Sequence, residues 1–167
     1  MNNATHKVWR LGADIDTDQL APGAYMKLGI EGIAPHCLEA VRPEFAASVR
    51  PGDVIAAGPS FGIGSSREQA AAALVKLGLR AVIAPSFSGL FFRNAFNLGL
   101  LLLTCPGCER IAEGEQIDLN AHTGRITRLS NGEVLQADPI PPFLLDMVEA
   151  GGLLPQLQQR FPARTLP

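Results

Sequence analysis

Two short, unbroken apolar runs constrain this chain more than any other feature. Asp53-Val54-Ile55-Ala56-Ala57 lies between Pro51-Gly52 and Gly58-Pro59, and Arg80-Ala81-Val82-Ile83-Ala84 follows Gly78. Apolar runs of this length between breakers fit strands buried on both faces. Between them Ala70, Ala73, Leu74 and Leu77 fall at i, i+3, i+4 and i+7, one apolar stripe on a helix expected from Ser66 to Leu77 and stopped by Gly78. A helix between two buried strands makes a right-handed βαβ unit the default. A second short helix, Ser88 to Leu98, leads into a third apolar strand, Leu100 to Thr104. The expected centre is a small parallel α/β core.

The flanks have a different texture. Lys7 to Leu11 reads as a strand, followed by the acidic loop Asp14-Ile15-Asp16-Thr17-Asp18. Gly23, Gly29 and Gly32 then punctuate a loop-rich stretch, and His36 to Val41 fits one or two helical turns. Beyond the core, Gln116 to Leu119, Arg125 to Leu129 and Glu133 to Gln136 read as short strands. Thr123-Gly124 and the hairpin-favouring Asn131-Gly132 separate them. Pro139, Pro141 and Pro142 introduce a last helix, Phe143 to Glu149, ended by Gly151-Gly152. The expected fold class is α/β: one domain over residues 1–167, with a small parallel core and a β-rich appendage.

Composition narrows the function classes. A net charge of −2 carries no basic excess, which argues against a nucleic-acid footprint. The longest apolar stretch, Leu98 to Leu103, is interrupted by Gly99 and is far too short to span a bilayer. Met1 to Lys7 lacks a cationic region before an apolar run, so no secretory leader is expected and the expected compartment is the cytoplasm. Cys37, Cys105 and Cys108 are an odd number, which speaks against a disulfide framework. Cys105-Pro106-Gly107-Cys108 has Cys-x-x-Cys spacing but follows a strand, and His6, His36 and His122 are isolated, so no metal ligand set is expected. Asp14 and Asp16 lack the bidentate glutamate of a calcium loop and are expected to form turns through side chain–backbone bonds.

The chemistry is concentrated in Gly58-Pro59-Ser60-Phe61-Gly62-Ile63-Gly64-Ser65-Ser66-Arg67-Glu68, which joins a buried strand to a helix. Such a turn presents unpaired N–H groups and suits an anion. It is no nucleotide loop: Ser65 stands where a P-loop needs Lys, and Arg67 where the dinucleotide fingerprint needs its third glycine. Ser65 and Glu68 have capping-box spacing, a purely structural role. Capping does not account for Arg67, a cation in the expected first helical turn, where the dipole disfavours it. Arg67 points to a bound anion, a carboxylate held bidentately.

Phe61-Gly62-Ile63-Gly64-Ser65-Ser66-Arg67-Glu68 resembles the small-subunit signature of the aconitase and isopropylmalate dehydratase superfamily. Asp14-Ile15-Asp16-Thr17-Asp18, Ser86-Phe87, Phe92-Arg93-Asn94, Asn97-Leu98-Gly99 and the closing Pro139 to Leu153 segment are similar in the same order. The resemblance implies a swivelling β/β/α domain like the aconitase C-terminal domain, and a hydro-lyase half-site of the 3-isopropylmalate dehydratase type in leucine biosynthesis. It implies Ser65 as catalytic base, Arg67 as ligand of a substrate carboxylate, Ser66 as its helper, and Asp18 as a supporting active-site acid. It also implies that no cofactor is bound by this chain, the [4Fe–4S] cluster residing on a large subunit in a heterodimer or heterotetramer. The substrate would be a small di- or tricarboxylate.

In this family the loop after the acidic motif helps choose the substrate's variable group, here Tyr25, Met26 and Lys27. Tyr25 and Met26 either offer apolar contact to an alkyl group or simply pack, and Lys27 either pairs with a third carboxylate or is solvated. Ile63, Gln69 and Ala24 depart from the commonest family pattern, so homoaconitate-type and methyl- or dimethyl-substituted malate substrates stay open. Rival readings are a non-catalytic carboxylate-binding module and a redox protein using Cys105 and Cys108. A serine pKa lies well above ~10, so neutrality needs a shift beyond ~3 units, more than about 4 kcal/mol. A helix N-terminus supplies at most ~2 kcal/mol. The chain alone is therefore expected to lack dehydratase activity.

Overall fold

A computed structural model describes residues 4–162. Seven strands form one sheet in the order β4-β3-β2-β1-β5-β6-β7. The strands are β1 (Thr5–Arg10), β2 (Val54–Ala56), β3 (Ala81–Ala84), β4 (Leu101–Thr104), β5 (Gln116–Asn120), β6 (Arg125–Arg128) and β7 (Val134–Gln136). β1 to β4 run parallel, with Val54 opposite Ala81 and Val82 opposite Leu102. Every residue of β2 and β3 is buried, as their unbroken apolar sequences require. β5, β6 and β7 are antiparallel and expose alternate residues, the pattern of a sheet with one wet face.

The β-rich segment joins the parallel core through β1. The first half of β1 pairs antiparallel with β5, Thr5 opposite Asp118 and Lys7 opposite Gln116. Its second half pairs parallel with β2, Val8 opposite Val54 and Arg10 opposite Ala56. Beneath that junction the Asp53 carboxylate, itself buried, accepts from the Trp9 indole N–H at 2.9 Å and from the Arg50 N–H at 3.0 Å. Trp9 packs edge-on against Phe45, with ring centroids 5.1 Å apart.

The helices are α1 (Thr17–Leu20), α2 (Gly29–Ile33), α3 (Phe45–Ser48), α4 (Gln69–Lys76), α5 (Gly89–Asn97), α6 (Pro142–Ala150) and α7 (Leu153–Arg160). α4 packs against α1, α2 and α5, and α6 packs against α5 and α7. Ala70, Ala73 and Leu74 of the expected stripe are buried. α4 begins at Gln69, three residues later than its sequence pattern predicts, with Glu68 as its N-cap and the Ser66 carbonyl taken by the Asn94 amide. Segment 36–41 holds the end of a 3₁₀ turn (Ala34–His36) and then bends at Leu38, which has a φ of 61°, so no continuous helix forms there. α1, α2, α3 and α7 carry too few residues, or in α7 too polar a sequence with Pro155 in its first turn, to announce themselves by periodicity. Among the described residues no helix is long and apolar enough to cross a membrane.

Removing the Asp53 carboxylate leaves the buried Trp9 N–H unpaired. Asp53→Ala should cost about 1–3 kcal/mol in chemical or thermal denaturation, and Asp53→Asn, which keeps an acceptor, should cost less. At the β5–β6 junction, burial alone pushes the Glu115 carboxyl up. The Ser130 hydroxyl, the Ala112 N–H and the Arg128 guanidinium outweigh it and hold the carboxyl below its ordinary value. A carboxyl depressed in the folded state stabilises the fold above its unfolded value of about 4.3. That contribution is lost as pH falls through the lower folded value. Glu115→Gln should therefore flatten the acid limb of a stability–pH curve below about pH 4.3 while lowering stability at neutral pH.

Candidate functional site

The glycine-rich turn leaves the carboxyl end of β2 and is locked from two sides. On one side lies the acidic loop. The Gly62 N–H donates to the Ile15 carbonyl at 2.7 Å and the Thr17 N–H to the Ile63 carbonyl at 2.9 Å, with Asp16 and Ile63 paired as in a parallel ladder. On the other side lies the segment after β3. The Phe61 N–H donates to the Ser86 carbonyl, the Ser88 N–H to the Phe61 carbonyl, and the Ser60 N–H to Ser86 Oγ. These bonds hold Asp14 and Ser60 at φ values of 57° and 63°, a left-handed backbone that costs a non-glycine residue about 1–3 kcal/mol.

Gly62 is fixed by two requirements at once. Its φ is 82°, and a Cβ there would lie 2.2 Å from Phe91 of α5. The turn can therefore sink onto the Phe61–Phe91 edge-on pair, whose centroids are 5.3 Å apart. Beyond it, Ser65 and Ser66 are exposed, and the Ser66 carbonyl accepts from the Asn94 amide at 3.1 Å. Arg93 is exposed beside it.

The expected Ser65–Glu68 capping box does not form. Glu68 is the N-cap of α4 and makes no side-chain cap bond, so the Ser65 hydroxyl is not consumed by the helix. The capping box sits instead at α1, where Asp16 accepts from the Gln19 N–H at 2.8 Å and the Gln19 side chain accepts from the Asp16 N–H at 3.0 Å. Asp16-x-x-Gln19 carries that signal in the sequence, and the turn-forming role expected of Asp16 is what it performs.

Arg67 likewise precedes α4 instead of lying in its first turn. Its Nη1 donates to Asp18 Oδ1 at 3.1 Å and to the Ala21 carbonyl at 2.8 Å. Asp18 Oδ1 also accepts from the Gly23 N–H at 3.0 Å, so the acidic loop, the arginine and the start of the next segment are tied at one atom. Arg67 Nη2 and Nε bond no partner among the described residues. The Asp18 side chain is 68% exposed and Arg67 22%, and a pair so open to water holds by only about 0–1 kcal/mol. The fork is thus aimed by Asp18 and Ala21 while one edge stays available for a planar anion.

Of the other expected contacts, Tyr25 and Met26 are half-buried and pack against the core, and Lys27 is exposed. The Tyr25 ring stacks on His36, a partnership that sequence gave no sign of. The three thiols are free and buried. Burial pushes Cys37 up to about 12 and, as the largest influence, Cys108 up to about 11, and it raises Cys105 as well. Thiols held protonated are poor nucleophiles and poor ligands, and their place is in the core. Among the described residues no group of three or more His, Cys, Asp or Glu side chains is placed to hold a metal ion.

The sequence family described as the Aconitase C-terminal domain matches residues 47–107, which span β2, the glycine-rich turn, α4, β3, α5 and β4. The "3-isopropylmalate dehydratase small subunit 1" of Methanopyrus kandleri is 45% identical over 158 residues, covering 93% of each chain. The "isopropylmalate/citramalate isomerase small subunit" of Methanocaldococcus jannaschii is 41% identical over 156 residues, covering 92% of this chain and 93% of the other. A crystal structure of 3-isopropylmalate dehydratase from the same organism superposes with a TM-score of 0.87 at 33% identity, covering 93% of each chain.

Filling the space at Gly62 should dislodge the turn. Gly62→Ala is expected to lose about 2–4 kcal/mol of stability, a left-handed backbone penalty added to overpacking against Phe91. Thermal denaturation of the variant beside Gly64→Ala, where a Cβ would meet only Thr17 Oγ1 at 3.3 Å, checks that the Phe91 clash adds to the shared backbone cost.

Proposed function

This chain belongs to the family of 3-isopropylmalate dehydratase small subunits, and on that premise we propose that it supplies the base and a carboxylate ligand to a hydro-lyase site completed by a large subunit. The substrate class is a hydroxy-dicarboxylate with an alkyl substituent, isomerised by loss and return of water as in leucine biosynthesis. The observation that carries this reading is the Arg67 fork, aimed by Asp18 and the Ala21 carbonyl with one edge unpaired, two residues beyond an exposed and uncapped Ser65.

In this reading Arg67 clamps a substrate carboxylate bidentately and fixes the adjacent carbon relative to Ser65. The Ser65 oxygen takes the proton from that carbon as the hydroxyl leaves the next one, and returns it on the opposite regiochemical course. Ser66 assists the carboxylate, and Asp18 keeps the guanidinium oriented. The chain has only three thiols, and among the described residues no group of three or more His, Cys, Asp or Glu side chains is placed to hold a metal, which supports a cluster held elsewhere. The cluster belongs on the large subunit, where it supplies Lewis-acid chemistry to the departing hydroxyl.

α4 begins at Gln69, so Ser65 lies outside its first turn and gains little from the helix dipole. The shift of more than about 4 kcal/mol needed to make a serine hydroxyl a base at neutral pH must then come from Arg67 and a dry cleft. On this chain by itself Ser65 and Ser66 face solvent. The large subunit is what closes the site, and residues 1–167 act as one swivelling unit in the cytoplasm. The relative named for citramalate as well as isopropylmalate makes a methyl-substituted malate the second substrate to assay.

Reconstitution with a cluster-bearing large subunit tests the proposal. The pair should turn over 3-isopropylmalate and the isolated chain should not. Ser65→Ala should lower kcat by roughly 10²–10⁴ with little change in KM, the range for loss of a general base. Arg67→Lys, which keeps charge but loses the fork, should raise KM by about 10–100-fold, the equivalent of losing one or two charge-assisted bonds. An undiminished rate in Ser65→Ala removes the base assignment.

A further inference from the structure

The segment Gly23–Leu28, a 3₁₀ turn, is fixed at two points by different means. At its start the Gly23 N–H bonds Asp18 Oδ1, the same atom that receives Arg67. At Tyr25 the phenol ring lies flat on the His36 imidazole, with centroids 3.5 Å apart and planes within 8°. His36 Nδ1 sits 2.6 Å from Glu39 Oε2, so the imidazole under the phenol is itself held. The nearby Glu39 carboxylate pushes the Tyr25 phenol above its ordinary value. The coplanar stack on a tethered imidazole fixes the tilt of the tyrosine ring, which mere packing would not require.

The platform beneath is itself anchored to the site. The Leu38 N–H donates to the Gln19 carbonyl at 2.8 Å, joining the His36–Glu39 stretch to α1, which carries Asp18. Cys37 and Leu38 are fully buried, while the His36 and Glu39 side chains stay 34% and 40% exposed. Two short chains of contacts therefore run between Arg67 and the Tyr25 ring, one through Asp18 and Gly23 and one through α1 and Leu38.

We propose that His36 and Glu39 are positioning residues that hold Tyr25, and with it Gly23–Leu28, against the substituent of a substrate whose carboxylate is held by Arg67. This rests on the alkylmalate function given above and deepens it. Neither residue touches substrate. They preset the wall that the alkyl group meets, so loosening them weakens and blurs substrate choice and leaves proton transfer at Ser65 alone.

The test uses the reconstituted two-subunit enzyme with 3-isopropylmalate and citramalate as alternative substrates. Glu39→Ala should raise KM for 3-isopropylmalate about tenfold, the loss of one charge-assisted bond's worth of order, with kcat within about twofold. It should also shift the kcat/KM ratio between the two substrates. His36→Phe keeps a ring under Tyr25 and should fall between wild type and His36→Ala. Tyr25 is the only tyrosine of the chain, so ultraviolet titration of the full-length subunit reports it alone. The nearby Glu39 carboxylate holds that phenol above its ordinary value, and Glu39→Ala should bring it down. An unmoved tyrosine titration shows that the clamp does not exist in solution. A lowered titration with unchanged KM and selectivity reduces the clamp to a structural contact. Either result overturns the inference while leaving wild-type turnover intact, whereas a wild-type pair inactive on both substrates defeats the function itself and the inference with it.

Discussion

Two backbone hydrogen bonds, Gly62 N–H to Ile15 and Thr17 N–H to Ile63, hold the acidic loop against the glycine-rich turn, and the rest of the site is built on them. They bring Asp18, at the start of α1, to the Arg67 that precedes α4, although 49 residues separate the two in sequence. The turn accepts this ladder because it follows a fully buried strand whose neighbours are already paired, so its backbone is presented at the carboxyl end of the sheet. That is where open α/β sheets bind their ligands.

The same constraint leaves part of the constellation open to water. A buried arginine would need its own carboxylate and would lose the edge that recognises another. Here Asp18 and Ala21 occupy one nitrogen and leave the rest of the fork, and Asp18 stays in water, so the internal pair is weak enough to coexist with a substrate carboxylate. The serines beside it are exposed for the same reason. Membership of a family of small subunits implies a large-subunit partner, and the exposure of Ser65 and Ser66 accords with that.

β1 integrates the molecule. Its two halves use different partners, β5 antiparallel and β2 parallel, so the meander of β5 to β7 extends the sheet while α1 to α5 fill the crossovers of the parallel half. The cysteines fall within this packing, with Cys108 Sγ 3.5 Å from the Ala57 carbonyl, and burial holds their thiols protonated. Cys105 directly follows β4 and Cys108 opens the next 3₁₀ turn, which is where the Cys-x-x-Cys spacing falls.

By itself the sequence determined what rests on local chemistry. The buried strands of the parallel core, the apolar stripe of α4, the hairpin at Asn131-Gly132 and the unusual Gly-Ser-Ser-Arg-Glu run were all legible. Each depends on residue type and a spacing of two to four positions. Tertiary structure decided what depends on partners distant in the chain. The Ser65–Glu68 spacing matches a capping box, yet none forms, as the backbone of residues 60–66 bonds instead to Ile15, Ser86 and the Asn94 side-chain amide. Arg67 was read as pointing to a bound anion, and its internal partner, Asp18, was visible only once the acidic loop lay beside the turn. The stack of Tyr25 on His36 and the bond of His36 to Glu39 left no trace in the sequence, since an aromatic ring eleven residues from an imidazole has no periodicity to mark it. Local pattern sets which elements form. Which hydroxyl remains free, and which guanidinium edge stays open, is set by the long-range bonds that take the others.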